Sequence, residues 1–242
     1  MNRRDFLRSG VLLSSLLAVV LPLSAADAPA TAKPSAKPAN QAKPPAGPAR
    51  FEKDIAAYEA TDKMSPPPQG AVLFYGASSI RLWKTLKEDF PGVDVFNRAF
   101  GGSQISDCIH FAPRVVLPYK PRLIVFQAAG NDINAGKSPE QVLADYKQFV
   151  ALLRADLPKV RIAFMGIGPS PARWSQREKQ QQANALVKAY VATDPLQSYI
   201  DIWEAHLGPD GAPVEALFVS DKLHPSAEGY KIRVALTKPY VK

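Results

Sequence analysis

Four short segments of this 242-residue chain carry side chains that could do chemistry, and each follows a run of apolar, strand-like residues. Gly76-Ala77-Ser78-Ser79 puts a hydroxyl on a turn of small residues ahead of a helix. A serine there is a candidate nucleophile, or the residue that caps the helix. Asn97-Arg98-Ala99-Phe100-Gly101-Gly102-Ser103 holds a glycine pair that would bring backbone N–H groups close to a ligand, or would only turn the chain. Ala128-Ala129-Gly130-Asn131-Asp132 delivers a polar pair straight out of an apolar run, where Asn131 could face a ligand or close an Asx-turn. Ser220-Asp221-Lys222-Leu223-His224-Pro225 sets a carboxylate three residues ahead of an imidazole and leads into the last helix. Each segment alone has a structural use. Together they are more informative, because ligands of open parallel sheets lie beyond the carboxyl ends of the strands.

The elements that must position these segments are legible as alternation between short apolar runs and longer helical stretches. Strands are expected at 71–75, 93–97, 122–127, 160–166 and 198–202. None shows polar and apolar residues in turn, as suits strands covered on both faces. The clearest helix is 138–157: Ser138 stands as N-cap, Pro139 at the first helical position and Gln141 completes a capping box. Val142, Leu143, Tyr146, Phe149, Val150 and Leu153 then recur at helical spacing, and Pro158 ends the run. Further helices are expected near 79–90, 104–116, 175–192 and 226–238. This order argues for an α/β fold, a parallel sheet with helices on both faces.

The four segments together resemble the SGNH hydrolases, also called GDSL esterases and lipases, over roughly residues 70–240. The resemblance implies a three-layer α/β/α flavodoxin-like sandwich with a mostly five-stranded parallel sheet, in agreement with the strand count. It also implies roles: Ser78 as nucleophile, Gly102 and Asn131 with the Ser78 N–H as oxyanion-hole donors, His224 as base and Asp221 as its orienting carboxylate. The chemistry accounts for these types. A serine hydroxyl attacks an ester carbonyl only when a base removes its proton, and imidazole titrates near neutrality. A carboxylate on the other ring nitrogen holds the useful tautomer. Donors already aimed at the developing oxyanion are typically worth about 3–4 kcal/mol each.

Two positions depart from the family pattern. Ala77 stands where the first block usually has Asp, so the support of the nucleophile turn must differ. Ala129 stands where the third block usually has Gly, and it would be strained if that position needs positive φ. Ser79 is the rival of Ser78, which is preferred because it holds the third position of its block. Arg173 and Trp174, in the loop after the fourth strand, either line the substrate pocket or only begin the next helix. His110 and His206 have no ligand-like spacing with His224, so no metal or other cofactor is expected. A single cysteine excludes an intrachain disulfide, and Cys108 reads as buried filler. Trp83, six residues before Asp89, is expected to pack a helix on the sheet.

The amino terminus reads differently. Arg3 and Arg4 followed by a 13-residue apolar run, 11–23, resemble a twin-arginine export signal, too short to span a bilayer. The expected organisation is a signal peptide at 1–26, a Pro/Ala/Lys-rich linker at 27–50 and a hydrolase domain at 51–242. Residues 1–50 hold seven basic and two acidic groups, while residues 51–242 hold 23 and 20. The net +8 of the chain is therefore +5 in the leader and linker and +3 in the domain, which argues against a nucleic-acid partner. The reading as a whole is an exported serine esterase, periplasmic or extracellular, without a membrane span once processed. Its substrates would be short acyl esters of small molecules or saccharides; lysophospholipase, thioesterase or a non-catalytic glycan- or lipid-binding module are the alternatives. Oligomeric state is not legible.

Overall fold

A computed structural model describes residues 47–242, so the expected signal peptide at 1–26 and the expected linker up to residue 46 lie outside the described residues. The last residues assigned to the linker, with Phe51, form a 3-10 turn over Gly47–Phe51. Arg50 in that turn pairs with Asp107 at 3.0 Å.

Five strands, β1 (Val72–Gly76), β2 (Val95–Asn97), β3 (Leu123–Gln127), β4 (Arg161–Met165) and β5 (Gln197–Ile200), form one parallel sheet in the order β2-β1-β3-β4-β5. The register aligns Val72 with both Val95 and Leu123, Leu123 with Arg161, and Ile162 with Gln197. Each expected strand is present, with its ends within two residues of the expected ones: β1 runs one residue further, to Gly76, and β5 starts one earlier, at Gln197.

The period-2 geometry of a strand explains why the central runs β1, β3 and β4 are almost wholly apolar, since both of their faces are covered. On one face Leu73 and Tyr75, Ile124 and Phe126, and Ile162 and Phe164 belong to one buried cluster. On the other face Val72 and Phe74, Leu123 and Val125, and Ala163 and Met165 belong to a second. The first cluster is closed by α4 (Ile105–Val115), α6 (Pro139–Asp156) and α7 (Arg177–Val191); the second by α2 (Ser78–Arg81), α3 (Leu86–Asp89) and α8 (Ala227–Val241). Helix α6 begins as its sequence requires, with Ser138 Oγ accepting from Gln141 N at 3.2 Å and Gln141 Oε1 accepting from Ser138 N at 2.8 Å. It buries Val142, Tyr146, Phe149, Val150 and Leu153, each contributing roughly 1.5–3 kcal/mol by leaving water.

Two elements differ from expectation. The helix expected at 79–90 is two single turns, α2 and α3, because Trp83 swings between them onto the sheet. Its ring meets Phe74 edge-on at 5.6 Å, and its Nε1 donates to Asp89 Oδ2 at 2.7 Å. A helix absent from the sequence reading, α1 (Glu52–Met64), buries only Ile55. Its apolar stripe is too thin to mark it, and ion pairs to α4 and Arg98 hold it. A short helix, α5 (Gly130–Asn134), follows β3. Cys108 is buried as expected, and burial pushes its thiol up, away from reactivity.

Candidate active site

The loops after β1, β3 and β4 and the segment before α8 line an open cleft at the carboxyl edge of the sheet, and the loop after β2 is bonded to the first two of these loops through Phe100 and Ser103. Ser78 opens α2. The turn that presents it depends on Gly76, whose φ is +130° and whose missing Cβ would stand 2.0 Å from the Gln127 carbonyl oxygen. Ala77 supplies no side-chain cap in place of the family's Asp. Instead the turn is held by backbone: Ala77 N donates to Gln127 O at 2.8 Å, and Gly76 O accepts from Phe100 N at 3.0 Å and from Ser103 Oγ at 3.1 Å.

His224 reaches Ser78 across 146 residues of sequence, its Nε2 lying 2.8 Å from Ser78 Oγ. Its Nδ1 lies 2.6 Å from Asp221 Oδ2. Since a carboxylate can only accept, Nδ1 carries the hydrogen and Nε2 is free to accept from the hydroxyl. Asp221 Oδ1 also accepts from the N–H groups of Leu223 and His224, both at 2.9 Å. The His224 ring and backbone donors together hold the Asp221 carboxyl down to about 2. The segment keeps this shape because Lys222 adopts a positive φ of 57°, Val219 N bonds His224 O, and Lys222 O accepts from Ala172 N. Ser79 lines the cleft too but makes no hydrogen bond to His224.

Asn131 lies in the first turn of α5. Its Nδ2 donates to Ser103 O at 2.9 Å and its Oδ1 accepts from Arg173 Nη2 at 3.0 Å. These two partners fix which end of the amide is which, and one Nδ2 hydrogen remains for a ligand. The residue before this helix turn, Ala129, has φ +80° and ψ −33° and is wholly buried, so the strain foreseen for a side chain at this position is present. Asp132, also fully buried, ties the third segment to the second by accepting from Ile105 N at 3.2 Å and from Lys137 Nζ at 2.8 Å. Gly102 turns with φ +82° between β2 and α4. Neither its N–H nor that of Ser78 is engaged with another backbone group among the described residues.

Of the two residues proposed to line the pocket, Arg173 does so, at a position where burial pulls its guanidinium down. Trp174 does not. Its indole stacks on Trp203 with centroids 6.2 Å apart, under the Arg177 guanidinium. Sequence reasoning missed Gln127, Gln180 and Arg233, all of which line the cleft and all of which are buried. For Arg233 a signal existed. It occupies the same helical stripe as Val234, Thr237 and Val241, a charged residue on the face of α8 that meets the sheet. Apart from Asp221, engaged by His224, no carboxylate among the described residues borders the cleft.

Comparison with known proteins gives one consistent result. The family described as GDSL-like lipase/acylhydrolase matches residues 68–232. Platelet-activating factor acetylhydrolase IB subunit alpha1 of Homo sapiens is 27% identical over 164 residues, covering 66% of this chain and 70% of that protein. Among solved structures, a GDSL-like lipase from Bacteroides thetaiotaomicron superposes with a TM-score of 0.67 at 20% identity, covering 77% of this chain and 96% of the other. A carbohydrate esterase family 3 protein from Talaromyces cellulolyticus does so with a TM-score of 0.56 at 17% identity, covering 70% and 94%.

Proposed function

This chain belongs to the GDSL-like lipase/acylhydrolase family and is a hydrolase of that kind, and from that premise we propose that it is an exported serine esterase removing short acyl groups, acetyl among them, from small molecules or saccharides. The observation that carries the mechanism is the unbroken hydrogen-bonded series Asp221–His224–Ser78 at the cleft. His224 Nε2 takes the Ser78 proton as the oxygen attacks the ester carbon. The N–H groups of Ser78 and Gly102 and the remaining Asn131 amide hydrogen receive the developing oxyanion. Imidazolium, steadied by the ionised Asp221, returns the proton to the departing alcohol. Water, activated by the same ring, then releases the acid from Ser78.

Short acyl groups are favoured by what surrounds the serine. The apolar side chains of any size in the lining are Ile167, Pro169, Phe218 and Leu223, interrupted by Gln127, Ser170, Arg173 and Gln180, so a long alkyl tail would lie against polar groups that it leaves unpaired. The acetylhydrolase relative fits the same preference. Export rests on the Arg3-Arg4 signal and the saccharide arm on that destination. No helix among the described residues is long and apolar enough to cross a membrane.

Turnover of p-nitrophenyl esters tests the reading. Ser78→Ala and His224→Ala are each expected to lower kcat by about 10^3-fold or more, and rates should fall from acetyl to longer chains. Full activity in Ser78→Ala would overturn the nucleophile assignment, and faster turnover of long chains would overturn the short-acyl preference. Fractionation of cells expressing the full chain and a form lacking residues 1–26 tests export.

A further inference from the structure

Arg233 is 3% exposed and lines the cleft, yet it has no carboxylate partner. Its Nη1 donates to Gln127 Oε1 at 2.7 Å and lies 3.7 Å from Met165 Sδ, while its Nε, fully enclosed, has no partner. Gln127 is itself held by its own amide, Nε2 donating to Gly166 O at 3.3 Å, so its oxygen is fixed on the guanidinium. The other edge, Nη2, faces the cleft-lining Gly168: a Cβ built there would stand 3.6 Å from Nη2 and 3.0 Å from Ile202 Cδ1, so only a glycine leaves this edge uncovered. Across the cleft Arg173 is likewise without an acidic partner, its one side-chain bond going to Asn131. Two guanidinium groups thus share a cleft whose one neighbouring carboxylate among the described residues, Asp221, is engaged by His224, and neither guanidinium forms a salt bridge.

Burying a charge without a counter-charge is costly, of the order of several kcal/mol. The one strong bond it makes inside the fold, to Gln127 Oε1, calls for a donor but not for a charge. An arginine fork is suited to a planar or tetrahedral oxyacid, which it meets through paired N–H donors. We propose that the cleft selects esters whose alcohol or acyl part carries an anionic oxyacid group, a carboxylate or a phosphate, with Arg233 as its counter-charge and Arg173 bordering it on the oxyanion side. The inference rests on the esterase reading and narrows its substrate class.

The first measurement uses the parent enzyme and matched acetyl esters: triacetin as the neutral ester, O-acetyl-3-hydroxybutyrate for the carboxylate and acetylated glycerol 3-phosphate for the phosphate. A preference in kcat/KM of about 10- to 100-fold for one anionic ester over triacetin is expected from a charge-assisted contact, and the favoured arm identifies the oxyacid. Arg233→Met should abolish that preference, and Arg233→Lys should retain part of it. Equal or poorer turnover of both anionic esters by the parent overturns the proposal, whatever the variants do. Turnover of none of the three by the parent would fail the esterase reading instead. The anion site is then decided by inorganic phosphate and 3-hydroxybutyrate alone: protection of the parent against thermal unfolding, lost in Arg233→Met, supports it, and no protection of the parent refutes it.

Discussion

The flank where α1 crosses α4 and the cleft at the carboxyl edge of the sheet treat arginine in opposite ways. On the flank every guanidinium meets a carboxylate. Arg114 makes a two-pronged contact with Glu59, both bonds 2.7 Å, and reaches Glu52 as well. Arg50 pairs with Asp107. Arg98, 8% exposed, pairs with Asp62 and lies over the rings of Tyr58, Phe96 and Tyr119. In the cleft Arg233 is more deeply buried than Arg98 and has only a neutral amide and a thioether. The lesson is in the charge: the buried guanidinium of the flank is supplied with a counter-charge by the fold, and the buried guanidinium of the cleft is not.

Breaking a pair on the flank should give the largest effect on stability. Asp62→Asn leaves Arg98 buried and uncompensated and should destabilise by about 3 kcal/mol, with kcat/KM for a neutral ester little changed; denaturant unfolding and steady-state kinetics read the two. An undiminished stability would show that the aromatic rings alone suffice for Arg98, and the contrast would fail.

Next comes His206, packed behind the cleft against Phe218 and fully buried. Its Nδ1 donates to Ile202 O at 2.7 Å and its Nε2 has no partner. Burial, with Arg233 nearby, pushes it down to about 4. The unfolded chain therefore binds a proton between about pH 6.5 and 4 that the folded protein refuses, so this stabilisation is complete above 6.5 and is lost as pH falls through that window. The loss should approach roughly 3 kcal/mol at pH 4, seen as a falling Tm. His206→Gln should flatten that slope, and an equal slope in the variant would place the acid sensitivity elsewhere.

Arg233→Met should change stability by no more than about 1 kcal/mol, because removing an unpaired buried charge is offset by leaving Gln127 Oε1 without its donor. A loss comparable to that of Asp62→Asn would make Arg233 a structural residue and erase the difference between the two regions. The smallest effect belongs to Ala129→Gly, which relieves a side chain held at positive φ beside Asn131. The gain should be up to about 1 kcal/mol, offset in part by the extra freedom of glycine in the unfolded chain, and is read as a raised Tm. No gain would mean that the surroundings of Ala129 have already absorbed the strain.

Much of the fold was legible because strong local signals agreed with one another. The capping box at Ser138 and Gln141 and the apolar spacing that follows are properties of neighbours in sequence, and α6 forms where they point. Helix α1 was not legible, since its partners Arg98 and Arg114 lie dozens of residues away and its own apolar stripe is almost absent. Trp83 was read correctly as packing on the sheet, but its turn inward is what divides the expected helix into α2 and α3, and that depends on Phe74 and Asp89 together.

The same division runs through the site. Sequence alone determined which residue types are present at the strand ends, the family to which they belong, and that Ala129 would be strained if its φ were positive. Only the tertiary structure decided that His224 bonds Ser78 and not Ser79, that Trp174 turns away to Trp203 while Arg173 grips Asn131, and that Arg233 has no acid beside it. The physical reason is that side-chain type and local periodicity are short-range properties of the chain, whereas hydrogen-bond reach and the balance of buried charge are fixed by residues separated by as many as 146 positions and brought within 3 Å only by folding.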